Sequence, residues 1–250
     1  MPGNPSTAMT RPLLAFILLC GTAAAQPAPN TIPGFESMQI EARSMPNFPS
    51  ALIGRGITDG TVRVVIKVDE TGRLDDWLVI AYTHETLARS AVDAMRRWKY
   101  APARLNGEPV SAQCEMQFNF RVEGVVVSQN MVEHFLSHVR GAHEQEFVYR
   151  PSTLRELDRI PTPVNVVSPN YPPELAQRGI HGDVTVEFYI DEEGQVRLPV
   201  VPGNQPPELT ELAIAAVSQW TFEPPTRRGQ PVLVQVRQSF HFAPGARADG

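Results

Sequence analysis

The chain repeats itself. Laid against itself, Trp98 falls on Trp220 and Gly72 on Gly194, a shift of 122 positions in both cases. The same shift sets Val62 on Val184, Val64 on Val186, Asp69-Glu70 on Asp191-Glu192, Leu87 on Leu209, Ala91 on Ala213 and Ala94 on Ala216. It also sets Pro102 on Pro224, Gly107 on Gly229, Pro109-Val110 on Pro231-Val232 and Phe118-x-Phe120 on Phe240-x-Phe242. Upstream the shift becomes 123, pairing Pro49 with Pro172 and Arg55-Gly56-Ile57 with Arg178-Gly179-Ile180, so one residue has been inserted near Asp59. Units of roughly 75 residues are too long to be turns of a solenoid, so the fold consists of two copies of one small domain.

The periods within each copy predict its elements. From Gly182 to Asp191, Val184, Val186, Phe188 and Ile190 alternate with Thr185, Glu187, Tyr189 and Asp191, the pattern of a half-buried strand. Asp191-Glu192-Glu193-Gly194 is a polar turn ending on the glycine a hairpin loop needs at positive φ, and Gln195–Val201 returns as the second strand. From Glu208 the period becomes helical: Leu209, Leu212, Ala213, Ala216, Val217 and Trp220 form one stripe, with prolines before its start and after its end. A closing strand runs from Pro231 to Phe242, and a short helical turn, Pro173–Gln177, precedes the first strand. The first copy repeats this with Val62 to Val68, Leu87 to Trp98, and Val110 to Phe120. The expected class is α+β: two small domains, each a three-stranded antiparallel sheet packed by two helices. Trp98, Trp220, Phe118, Phe120, Phe240 and Phe242 are the expected core aromatics.

Composition narrows the function. With 22 Lys+Arg against 27 Asp+Glu the formal charge is -5, and no basic face marks a nucleic-acid partner. Arg11 precedes an apolar run, Leu13 to Leu19, followed by Cys20-Gly21-Thr22-Ala23-Ala24-Ala25, the layout of a secretory signal cleaved after Ala25. The 13 residues from Leu13 to Ala25 make about 20 Å of helix against a hydrocarbon core of roughly 30 Å. The expectation is export to the periplasm with a cleaved signal, and inner-membrane anchoring is the lesser alternative. The organisation is then signal 1–25, flexible leader 26–44, first domain 45–123, partly helical linker 124–162, second domain 163–244 and tail 245–250.

Tyr171-Pro172-Pro173-Glu174-Leu175-Ala176, Arg178-Gly179-Ile180-x-Gly182, Asp191-x-x-Gly194, Ala213-x-x-Ala216-Val217-x-x-Trp220-x-Phe222-x-Pro224, Gly229-x-Pro231-Val232 and Phe240-x-Phe242 resemble the TonB C-terminal domain family. In the first copy Phe48-Pro49 and Trp98-x-Tyr100-x-Pro102 stand in the same places. The resemblance implies a periplasmic module that binds TonB-dependent outer-membrane receptors by pairing its last strand with a short segment of theirs. An edge strand offers unpaired backbone groups to an extended peptide, which supports that mode on physical grounds. The expected flanking residues are Leu233, Gln235, Arg237, Ser239 and His241 in the second copy, and Ser111, Gln113, Glu115, Gln117 and Asn119 in the first. The chain departs from an energy-transducing TonB in its short, cleavable apolar segment, the lack of a histidine within it, and the lack of a long Pro-Glu/Pro-Lys spacer.

No P-loop, G-x-S-x-G, H-E-x-x-H or Cys-x-x-Cys occurs, and no cofactor is implied, so the chain reads as non-enzymatic. His134 and His138 share a face if their segment is helical and are weak metal candidates beside the plainer reading of a solvated linker helix. Cys114 shares the inward face with Met116 and Phe118 and matches Val236, which describes a buried thiol. The turns at Asp69-Glu70 and Asp191-Glu192-Glu193 lack the ligand spacing of a calcium loop. Residues 45–123 carry ten basic and ten acidic side chains, with Arg96, Arg97 and Lys99 clustered near Trp98, whereas 163–244 carry five Arg against nine acids. Two alternatives stay open: a structural or self-associating envelope protein whose closing strands pair with each other or in a homo-oligomer, and a membrane-anchored transducer.

Overall fold

The computed structural model describes residues 33–130, 147–203 and 205–243. Their strands and helices follow, in chain order, β1 (Phe35–Glu36), β2 (Gln39–Ala42), α1 (Ser50–Ile53), β3 (Asp59–Val68), β4 (Leu74–Tyr82), α2 (Glu85–Met95), β5 (Lys99–Ala101), β6 (Ala103–Leu105), β7 (Glu108–Val110), β8 (Ala112–Arg121) and β9 (Gly124–Asn130). Then come β10 (Pro163–Asn165), α3 (Pro173–Gln177), β11 (Gly182–Ile190), β12 (Val196–Val200), α4 (Pro207–Val217), β13 (Thr221–Phe222), β14 (Thr226–Arg227), β15 (Gln230–Pro231) and β16 (Val234–Phe242). A 3-10 turn, Leu154–Glu156, lies between the copies.

Both hairpins close by the same device. Asp69 accepts backbone N–H bonds from Thr71 and Arg73, each at 2.9 Å, and Asp191 accepts them from Glu193 at 3.2 Å and Gln195 at 2.8 Å. The acidic turns therefore serve their own loops. The glycines have φ +84° at Gly72 and +81° at Gly194, and a Cβ there would sit 2.4 Å from the Tyr100 carbonyl oxygen or 2.0 Å from that of Phe222. The repeat keeps glycine at both for lack of room as well as for φ.

The two sheets differ in width. In the second copy the order is β12-β11-β16, three antiparallel strands with α4 across one face. In the first it is β4-β3-β8-β9, and the expectation of three strands fails there. Residues 124–130 form the fourth strand, β9, pairing antiparallel with β8 from Arg121↔Gly124 to Glu115↔Asn130. The reading of 124–162 as partly helical is corrected at this end: Val125-Val126-Val127 is β-branched and Gly124, at φ +156°, turns the chain back.

Each helix covers an apolar sheet face. In the first copy Val62, Val64, Ile66 and Val68 meet Leu87, Ala91, Ala94 and Met95 of α2, with Trp98, Phe118 and Phe120 buried beside them. In the second copy Val184, Val186, Phe188 and Ile190 meet Leu209, Ala213 and Val217, with Trp220 and Phe242 buried and Phe240 half-buried. Trp98 and Trp220 donate their indole N–H groups to the carbonyls of Ser44 and Val167, both at 2.8 Å and both at repeat-equivalent positions.

The opposite sheet faces, read from the alternation as polar, are buried too. Val65, Leu78 and Ile80 pack with Tyr189, Leu198 and Leu233 in a third cluster that joins the copies. Glu187 and Asp191 are only 4% and 6% exposed there, and Glu115 is 3% exposed. Buried carboxylates require partners, and they have them: Arg63 with Glu115, Arg237 with Glu187 at 2.9 Å, and Arg197 between Asp76 at 2.6 Å and Asp191 at 3.6 Å. Burial, then the nearby Glu115 carboxylate, pushes the Tyr189 phenol well above its ordinary pKa.

Candidate functional site: an open sheet edge and its groove

The two closing strands meet different surroundings. β8 lies between β3, which pairs with its whole length, and β9, which pairs with it from Glu115 to Arg121. Of the five first-copy residues expected to flank a peptide, Glu115, Gln117 and Asn119 stand opposite β9, which corrects that expectation for these three, while Gln113 lies in β8 before that pairing begins. Gln117 instead bonds Asn119, Asn119 accepts from Thr61, Glu115 pairs with Arg63, and Gln113 donates to the Pro199 carbonyl across the copies at 3.1 Å. Ser111 is exposed between β7 and β8.

β16 pairs with β11 on one side, from Gly182↔Phe242 to Ile190↔Val234, and is the last strand of its sheet. The Ser152 N–H reaches the Leu233 carbonyl at 2.8 Å, so that carbonyl faces away from β11. With the two-residue period of a strand, the backbone groups of Gln235, Arg237, Ser239 and His241 face the same way. Among the described residues no strand pairs with this outer side beyond the single bridge at Ser152 and Val234. Arg237, Ser239 and His241 are exposed and Gln235 is half-exposed. Leu233 is misplaced in that set: it is fully buried between the copies, before the strand begins.

Against this edge lies a groove of about 1050 Å³. Its floor is Phe188, Trp220, Phe222, Val236, Phe240 and Phe242, and its far wall is the segment carrying Leu154, Ile160, Pro161, Val166 and Tyr171. Leu154, Ile160 and Val166 are exposed apolar side chains on its rim, 44%, 77% and 45% accessible, an arrangement typical of an interaction surface. The rim is held by a capping box: Glu156 accepts the Thr153 N–H at 2.7 Å and pairs with Arg150 at 2.6 Å. Those hydrogen bonds, the Arg150 one first, hold the Glu156 carboxyl down at about 2. The groove escaped the sequence reading because it needs residues 154–171 folded back over a sheet edge. The only available signal was the run of exposed-looking apolar residues among prolines from Ile160 to Pro173.

The basic group of the first copy resolves into Arg96 stacked over Trp77 at 5.1 Å and Lys99 on the surface. Cys114 is buried, with its thiol donating to a backbone carbonyl. His134, His138 and the signal-like segment lie outside the described residues. Among the described residues there is no cluster of three potential metal ligands, and no helix is long and apolar enough to cross a membrane.

A helix-covered antiparallel sheet, present twice in the chain, defines a class of small α+β modules. Residues 44–122 and again 167–244 match the family described as Gram-negative bacterial TonB protein C-terminal; that is well over half of the chain, and the chain belongs to this family. It is similar to Protein TonB of Vibrio cholerae serotype O1, 33% identical over 86 residues, 34% of this chain and 35% of that one. It is also similar to Protein TonB of Xanthomonas campestris pv. campestris, 29% identical over 87 residues, 34% of this chain and 39% of that one. The chain thus matches between a third and two-fifths of the length of these relatives. A solution NMR structure of the Pseudomonas aeruginosa TonB CTD shares 29% identity, covering 38% of this chain and 96% of that one, with a TM-score of 0.32.

Proposed function

We propose that the chain is a periplasmic, non-enzymatic TonB-like protein associated with TonB-dependent transport. It binds an extended segment of an envelope partner, a TonB-dependent outer-membrane receptor or a protein like it, by adding that segment as a strand to β16. The observation that carries this reading is the outer side of β16, which has no neighbouring strand among the described residues from Ser239 to Phe242, beside an apolar groove. Backbone pairing supplies affinity and the groove selects side chains. At the first copy's closing strand the corresponding residues Gln117 and Asn119 are already paired with β9, so the proposed site lies in the second copy.

The test is capture of receptors from an outer-membrane extract, identified by mass spectrometry, with Ser239→Pro as the control. Proline removes an outward N–H while leaving the ladder to β11 in place. The variant is first matched to the parent by circular dichroism. Receptors bound by the parent and lost with Ser239→Pro support strand addition; capture that ignores the proline rules it out.

A further inference from the structure

The first copy shows what the second copy's edge is shaped to accept. Shifted by 122, Phe120 becomes Phe242, Phe118 becomes Phe240 and Met116 becomes Gln238. Opposite the first three, β9 places Val125, Val127 and Gln129. Val125 is buried in the first core and Val127 packs against it. The other wall matches as well: with the upstream shift of 123, Phe48 becomes Tyr171, and their rings touch Phe120 and Phe242 respectively. Met38, 1% exposed in the first core, becomes Pro161, which lines the groove. The groove is thus the counterpart of the volume that β9 and Met38 fill in the first copy.

One detail favours β16 over β8 as a partner for such a strand. The Gln129 amide nitrogen is buried without a hydrogen-bond partner, because the residue opposite is Met116. On β16 the equivalent residue is Gln238, whose amide can answer it.

Building on the strand-addition reading, we infer that the segment read by β16 is antiparallel and made like β9. It places β-branched apolar side chains at two alternate positions, opposite Phe242 and Phe240, and a hydrogen-bonding side chain opposite Gln238. The intervening side chain points away from the groove, as Val126 does, 67% exposed, in the first copy.

The test uses a labelled synthetic peptide of the sequence of residues 124–130, Gly-Val-Val-Val-Ser-Gln-Asn, titrated with the protein by fluorescence anisotropy. Val125→Asp or Val127→Asp in the peptide is expected to weaken binding about tenfold or more, and Val126→Asp less than about threefold. Gln129→Leu in the peptide is expected to weaken it about threefold or more. Ser239→Pro in the protein is expected to abolish it. Three results overturn the inference: no binding, equal damage from Val126→Asp, or binding that survives Ser239→Pro because the peptide exchanges with β9. If receptor capture is nonetheless lost with Ser239→Pro, strand addition stands and only the template fails. If neither peptide nor receptor depends on Ser239, both readings fall.

Discussion

The two copies share a frame and differ at one edge. Each has the Asp-turn hairpin, the glycine jammed against a carbonyl, the helix over four apolar strand residues and the tryptophan tied to an upstream carbonyl. Among the described residues, the first copy adds seven more on β9, which covers β8 from Glu115 to Arg121, and the second has β16 beside a groove. A duplicated domain therefore need not duplicate the surroundings of its closing strand. What stands beside a closing strand is decided by the segment next to it, outside the repeated unit.

The largest effects should come from the shared frame, and should already be unequal. Trp98 packs against Tyr100 and Phe118 beside a cavity of about 490 Å³, whereas Trp220 touches Phe188, Phe222 and Phe240 beside the groove of about 1050 Å³. Trp98→Ala is expected to cost about 3–5 kcal/mol in urea unfolding. Trp220→Ala should fall at the low end of that range, because truncation there widens a space already reached by water. Equal losses would remove the energetic side of the comparison.

A substitution in β9 should convert one kind of edge into the other. Val125→Asp places a charge in the first core, and the cheapest response is release of β9, at a cost of about 3 kcal/mol. Amide exchange at Gln117 and Asn119 should then quicken, while exchange along β11 stays slow. Continued protection of both amides would mean that something other than β9 shields β8.

The glycines test how alike the frames are. Gly194→Ala meets the Phe222 oxygen at 2.0 Å and Gly72→Ala the Tyr100 oxygen at 2.4 Å, both at positive φ. Each should cost about 2 kcal/mol, with Gly194→Ala the more damaging, read from the shift in urea midpoint. The reverse order would mean that the second hairpin yields more easily than its packing implies.

What could be read in advance was whatever repeats or alternates. The hairpins, α2, α4 and the aromatic core were legible because their residues face one neighbour within one copy. The buried second sheet face was not, because Thr185, Glu187 and Tyr189 read as polar when a single strand is viewed alone. Burial of Glu187 is sustained by Arg237, 50 positions away, and by a cluster drawn from the other copy. Val65, Leu78, Ile80 and Leu198 were the apolar residues on that face that signalled it. The candidate site was partly legible: Gln235, Arg237, Ser239 and His241 lie on the last strand of their sheet, but Glu115, Gln117 and Asn119 stand opposite β9, whose valines read as linker when the repeat is taken to end at 123.

Acid should separate the copies by the smallest margin. In the first hairpin, hydrogen bonds from the Thr71 side chain and then the Arg73 backbone hold Asp69 at about 2, against an ordinary 3.8. At the groove rim, the Arg150 side chain and then the Thr153 backbone hold Glu156 at about 2, against 4.5. A carboxyl depressed in the folded state stabilises fully above its unfolded pKa and loses that contribution as pH falls through the folded one. The windows are therefore about 3.8 down to 2 for Asp69 and about 4.5 down to 2 for Glu156. Both groups are solvent-accessible, so screening keeps each contribution small. Glu156→Gln should lower stability above pH 5 and flatten its decline between pH 4.5 and 2, whereas Asp69→Asn should flatten only the lower part. Because Glu156 orders the turn that carries Leu154, its loss should also weaken peptide binding at the groove, an effect Asp69→Asn lacks. A Glu156→Gln stability curve parallel to the parent's throughout would mean the capping box adds nothing to the folded state, and the rim would then be held by its other ties, among them the Arg159–Glu223 pair, the Asp158 contacts and the β10–β13 pairing.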